Sequence, residues 1–140
     1  MSNEKTSIRR QSRELALQVL FQRQFSGEIS PEDGLNHFKQ SFHFSPQVWK
    51  YAKTLLDGVA ESQEQIDQAI SSLSQNWSPD RMALVDLSLL RMAVFEMKWL
   101  KEADPQVIIN EAIEISKKYG GTDSHQFING LLGQLIEAST

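Results

Sequence analysis

The chain has 140 residues, 40% of them hydrophobic, and a net charge of −4. This length supports one cooperative core or two small packed halves rather than several independent domains. Because there is no cysteine, disulfides, thiolate metal sites and thiol nucleophiles are excluded, and the short polar start Met1–Ser7 is no apolar targeting segment, which points to the cytoplasm.

Residues 1–7 read as a disordered tail, followed by one domain at 8–140 with sub-halves at about 8–61 and 62–140. All four prolines stand where helices would begin. Ser30-Pro31, Ser45-Pro46, Ser78-Pro79 and Asp104-Pro105 each pair an N–H-capping side chain with a ring preset to helical φ. No stretch alternates as a strand would, so the predicted class is all-α, a compact bundle of about seven helices in two three-helix-type halves.

The first helix is predicted from Ile8 to Phe25, closing at Gly27, with Ile8, Leu15, Ala16, Val19 and Leu20 as its core stripe. A second follows Ser30-Pro31 with Leu35, Phe38 and Phe42 at helical spacing, and Phe44 packs under the next turn. The third starts at Pro46 and buries Val48, Trp49, Ala52, Leu55, Leu56 and Val59. Its rhythm continues through Ile66 and Ile70, but Ser62 and Gln65 resemble a new capping box, so a kink or break is expected near 60–63.

The stretch from Pro79 to Leu100 is apolar almost all round, as expected of a helix surrounded by others. Asp86 and Arg91 in its middle argue against a membrane span. Trp77 is placed to staple against Met82. Pro105 opens a helix with Val107, Ile108, Ala112 and Ile115 that ends at Gly120-Gly121. Asp123 and Gln126 then cap a last helix, in which Gly130 and Gly133 allow a neighbour to approach closely.

The candidate chemistry lies in charge placement. Residues 1–25 hold five cations against two carboxylates, a local +3 that leaves −7 on the remainder. Arg9, Arg10 and Arg13 crowd the first turns of the predicted helix, where the dipole is already positive, and Arg9 and Arg13 repel at i,i+4. Phosphate answers both problems. Phe21 falls within about 40° of Arg10 and Leu17 on the wheel, away from the core stripe, so an unpaired base could stack beside neutralised phosphates; the alternative is a solvated basic face with Phe21 packed on a neighbour.

Lys117 and Lys118 suit the negative end of their helix and double as RNA candidates. Asn110 and Asn129 are expected to satisfy buried polar groups. Asp123-Ser124-His125 has the residue types of a hydrolytic triad, but neighbours about 100° apart on a helix cannot converge on one substrate. No glycine-rich phosphate loop or Glu-x-x-His metal pair occurs, so no catalytic residue, metal or cofactor is expected.

Four blocks in order, RRQSRELALQVLFQ, RMALVDLSLLRMAVFEM, INEAIEISKKYGG and SHQFINGLLGQL, resemble the NusB family of bacterial transcription antitermination factors. The resemblance runs from about Arg9 to Leu135, with residues between Gly27 and Trp77 matching mainly in helical character. It implies an all-helical, non-enzymatic, cofactor-free protein that binds boxA RNA of ribosomal RNA leader transcripts together with NusE, a small-subunit ribosomal protein. That pair, with other antitermination factors acting indirectly, helps RNA polymerase read through terminators.

Carried onto this chain, the resemblance places Arg9, Arg10 and Arg13 on RNA, with Phe21 where the family often has tyrosine, and adds Asp123 and Phe127 as RNA-facing. It puts the docking side for the ribosomal protein in the second half, where Asp86 and Glu96 are the candidates, with internal pairing as their alternative. Monomer and homodimer both suit the family, and no membrane is involved. Two other readings are a helical protein-interaction scaffold and a module related to those of ribosomal RNA methyltransferases.

Overall fold

The computed structural model describes residues 2–27, 29–74 and 78–139, with side chains given for all of these except 2–6, 24–26, 138 and 139. Six α-helices are found among them, and no strand. The count is six rather than about seven because the chain continues from Pro46 to Leu73 (α3) across a single non-helical residue, Ser62, at φ −116° and ψ 16°. The kink therefore lies inside the expected window, and α3 consists of two helical stretches joined across it. The chain divides at the same place into two compact units, Met1–Glu61 and Ser62–Thr140.

In the first unit, α1 spans Ser2–Ser26 and α2 spans Pro31–Lys39. Helix α1 starts ahead of Ile8, so it includes part of the stretch read as a tail. It ends where Gly27 turns left-handed at φ 83°, as its sequence predicts. Ser30 caps α2 by accepting from the Asp33 N–H at 3.1 Å, with Glu32 and Asp33 in the first turn. A Cβ on Gly34 would meet Val19 Cγ1 at 2.7 Å, so glycine is what allows α2 to approach α1. Leu15, Ala16, Val19, Leu35, Val48, Leu55, Leu56 and Val59 are all buried, and each such leucine contributes roughly 2 kcal/mol.

In the second unit, Pro79–Arg81 forms only a 3-10 turn, and α4 begins later, at Leu84. The Ser78 hydroxyl donates to the Asp80 carboxylate instead of capping a backbone N–H, and Met82 is extended at ψ 150°, which interrupts the helix. The expected Trp77–Met82 staple lies outside the described residues. Helix α4 (Leu84–Phe95) passes into a π-helical turn, Glu96–Leu100. Lys101, left-handed at φ 55°, closes it by donating its N–H to the Glu96 carbonyl at 2.8 Å.

Asp104 caps α5 (Pro105–Tyr119) by accepting from Gln106 N–H at 2.8 Å, and α6 spans Ser124–Ser139. The tight approach near α6 is at Gly120, whose Cβ would meet Ser124 Oγ at 2.7 Å and the Ser116 carbonyl at 2.8 Å. Gly130 and Gly133, expected to serve that purpose, have nothing within 4 Å of a built Cβ. Asn110 and Asn129 are exposed rather than buried, and Asn110 accepts from the Gln106 side-chain amide at 3.1 Å.

Candidate nucleic-acid and partner interfaces

Helix α1 changes the electrostatic argument drawn from its sequence. Because it begins at Ser2, Arg9 and Arg10 stand beyond its first turn, where the pull or push of the helix dipole has largely faded. What remains is the like-charge spacing of Arg9 and Arg13, and Tyr51 of α3 answers it. The Arg9 guanidinium lies 3.6 Å from the Tyr51 ring centroid and that of Arg13 lies 6.0 Å away, so one aromatic ring serves two cations.

Next to them, Ser12 is fully buried, and its hydroxyl lies 2.8 Å from the Ile8 carbonyl and 3.2 Å from that of Val48 on α3. The turn holding Ser12 and Arg13 therefore faces α3, and Arg13 is only 4% exposed. Three equivalent arginines presented to a ligand is thus not the arrangement found: Arg9 lies on an aromatic ring, Arg13 is interior, and Arg10 is half-buried. Phe21 is 39% exposed, on the same arc of α1 as Arg10. Leu17 between them is buried, contrary to its expected place away from the core.

In the second unit the candidates Lys117, Lys118, Asp123 and Phe127 flank the α5–α6 turn. Lys117 pairs at 3.7 Å with Glu114 and both side chains stay about half exposed, so the pair contributes little. The Lys118 ammonium lies 5.3 Å from the Tyr119 ring. Asp123 is exposed and its carbonyl accepts from the Phe127 N–H at 3.2 Å, while Phe127 is half-buried. The Ser124 hydroxyl accepts from Gly121 N–H at 2.9 Å, closing the turn.

Asp86 and Glu96 are not open surface charges: they are 9% and 2% exposed. The all-round burial of α4 that marked this segment in the sequence also encloses its acids. Asp86 Oδ1 is buried with no hydrogen-bond partner among the described residues. Among the described residues of this unit, the exposed large apolar side chains are instead Trp99, at 40%, and Val107, at 48%. They belong to the π turn and the first turn of α5, which pack on each other.

Three features went unread in the sequence. Tyr51 sits on the α3 stripe between Val48 and Leu55, and its spacing was a signal for burial but not for contact with arginine. The others are the π turn carrying Trp99 and an aromatic ladder at residues 38–49.

Comparison with known proteins places these features in a lineage. The family model described as NusB family matches residues 10–137. The chain belongs to the NusB family. It is 47% identical over 137 residues to transcription antitermination protein NusB of Bdellovibrio bacteriovorus, covering 96% of this chain and 98% of that one. The NusB of Desulforamulus reducens is 43% identical, with 92% and 90% covered. Among solved structures, T. maritima NusB superposes with a TM-score of 0.83 at 31% identity, covering 92% of this chain and 90% of that one. A complex of antitermination factors NusB and NusE with dsRNA matches with a TM-score of 0.84 at 27% identity, covering 94% and 98%. The all-helical NusB-like fold is thereby established, and the relatives are transcription antitermination proteins. No helix among the described residues is long and apolar enough to cross a membrane.

Proposed function

We propose that the chain is a cytoplasmic, non-enzymatic antitermination factor acting by assembly, binding boxA RNA of ribosomal RNA leaders together with NusE so that RNA polymerase reads through terminators. The observation that carries this beyond family membership is Phe21, a large ring left 39% exposed on the arc of α1 that also holds Arg10. A ring there stacks on an unpaired base while the guanidinium neutralises a phosphate, and base stacking tolerates any sequence. Arg9, held against Tyr51, supports the same strand. Lys117, Lys118 and Phe127 are secondary candidates at the α5–α6 turn, and Asp123 limits affinity there by repelling phosphate.

Titrating the protein with single-stranded boxA RNA and with a duplex of the same sequence, at several salt concentrations, tests this. Arg10→Ala is expected to weaken single-strand binding several-fold and to reduce the salt slope by about 0.7–1, the signature of one lost phosphate contact. Unchanged affinity and slope would remove Arg10 from the site, and preference for the duplex would remove base stacking.

For the protein partner, Asp86 stays the docking candidate: its Oδ1 is a buried acceptor with no hydrogen-bond partner among the described residues, so gaining a donor on assembly would be favourable. Glu96, almost fully enclosed, has a structural role instead. Trp99 adds an exposed anchor of the type that dominates interfaces. Asp86→Asn is nearly isosteric and removes a buried charge, so stability is expected to change by less than about 1 kcal/mol, while assembly with NusE and RNA is weakened. Full assembly by this variant, seen in a pull-down of the ternary complex, would exclude Asp86 from the interface.

A further inference from the structure

Residues 37–50 contain Lys39, Lys50, His37 and His43 and no acidic residue, in a chain whose net charge is −4. Helix α2 divides its charge the same way, with Glu32 and Asp33 confined to its first turn and His37 and Lys39 in its last. Within this stretch the aromatic rings form a continuous ladder. Phe38 and Phe42 stack at 5.9 Å with an interplanar angle of 29°, and Phe42 and Phe44 at 5.9 Å with 15°. Phe44 meets Trp49 edge-on at 5.4 Å, and the Trp49 indole donates to the Phe44 carbonyl at 3.1 Å. Lys39 holds its ammonium 5.6 Å from the Trp49 ring.

A hydrophobic core would enclose such a ladder. Here Phe42 remains 44% exposed, and the basic residues around it are exposed as well. Near-parallel rings at these separations are offset rather than eclipsed, so the neighbours do not fully cover the Phe42 ring. Near-parallel aromatic faces set among cations and free of carboxylates suit a strand of unpaired bases joined by phosphates. A purely apolar segment would leave the cations unused and a purely acidic one the rings, whereas a nucleic-acid strand uses both at every nucleotide. We infer that the Phe38–Phe42–Phe44 ladder with Lys39 is a second stacking track for single-stranded RNA, extending the contact made by the arginine helix. The supporting element is shared, since the turns of α3 that carry Trp49 also carry Tyr51, against which Arg9 lies.

This rests on the RNA-binding reading above, and the test separates the two. Binding of the full-length chain is measured to a short single-stranded boxA RNA and to the same RNA extended at both ends. Phe42→Leu keeps an apolar side chain but loses the π face, and Lys39→Gln removes an exposed charge together with its contact to the Trp49 ring. Phe42→Leu is expected to leave the short RNA unaffected and to weaken the long one about tenfold. Lys39→Gln is expected to lower the salt slope for the long RNA alone by about 0.7. 4-Thiouridine in the extensions is expected to cross-link to the 38–49 segment of the unaltered protein. If Arg10→Ala weakens both RNAs while the ladder variants weaken neither, the second track is overturned and the arginine site stands. If Phe42→Leu weakens binding of NusE but not of the long RNA, the ladder is a protein seat and the inference also falls. Failure of the unaltered protein to bind either RNA overturns both.

Discussion

Replacing Arg91 with alanine is expected to destabilise the chain by about 2–4 kcal/mol. Arg91 leaves α4 in a bidentate pair with Asp67 of α3, Nε to Oδ1 at 2.8 Å and Nη2 to Oδ2 at 2.9 Å. Their side chains are 11% and 27% exposed, so water screens the pair only partly and the fork geometry holds both hydrogen bonds at once. Removing the guanidinium leaves a half-buried carboxylate that must find water or disrupt its surroundings. Arg91→Lys is not expected to restore the loss, because an ammonium cannot make the two parallel bonds. Denaturant unfolding of both single variants and of Arg91→Ala/Asp67→Ala closes a double-mutant cycle. A coupling energy below about 0.5 kcal/mol would reduce the pair to an ordinary surface contact.

That pair also marks the limit of what the sequence makes legible. Local signals were read correctly: Ser30 and Asp104 cap their helices, Gly27 ends α1 in left-handed geometry and Ser62 interrupts α3. Each depends on residues within a turn of one another, where backbone hydrogen bonding decides the outcome. Ser78 had the same signature as Ser30 and failed, because the chain leaves helical geometry at Met82, ψ 150°, after a single 3-10 turn, so no α-helix follows it to be capped. Arg91 and Asp67 lie 24 residues apart, and only packing brings them together.

The candidate sites divide in the same way. The wheel placed Phe21 on an exposed face of α1, and it is exposed. It could not tell that Arg13 turns inward or that Asp86 and Glu96 are enclosed, since burial of a charge depends on the neighbouring helices rather than on its own. Phe38 and Phe42 look like core residues at helical spacing, yet α2 ends at Lys39 and leaves Phe42 on the turn beyond it, where it stacks on Phe38 and Phe44 without being covered.

Arg13→Ala is expected to separate stability from recognition within the arginine cluster. Arg13 is 4% exposed, next to the fully buried Ser12 and on the same side of α3 as Tyr51. A guanidinium so enclosed contributes through its packed stem and its polar partners, and truncating it is expected to cost roughly 2–4 kcal/mol. Arg10, half-buried on the arc of Phe21, is expected to cost under about 1 kcal/mol when truncated while weakening RNA binding more. Unfolding by denaturant and RNA titration of the two variants should therefore give opposite rankings. RNA binding by Arg13→Ala, corrected for its folded fraction, is expected to keep the parent salt slope, because no phosphate contact has been lost. If Arg13→Ala is instead as stable as the parent and shows a reduced slope, its side chain leaves the interior to meet RNA, and the bound state differs from the structure described above.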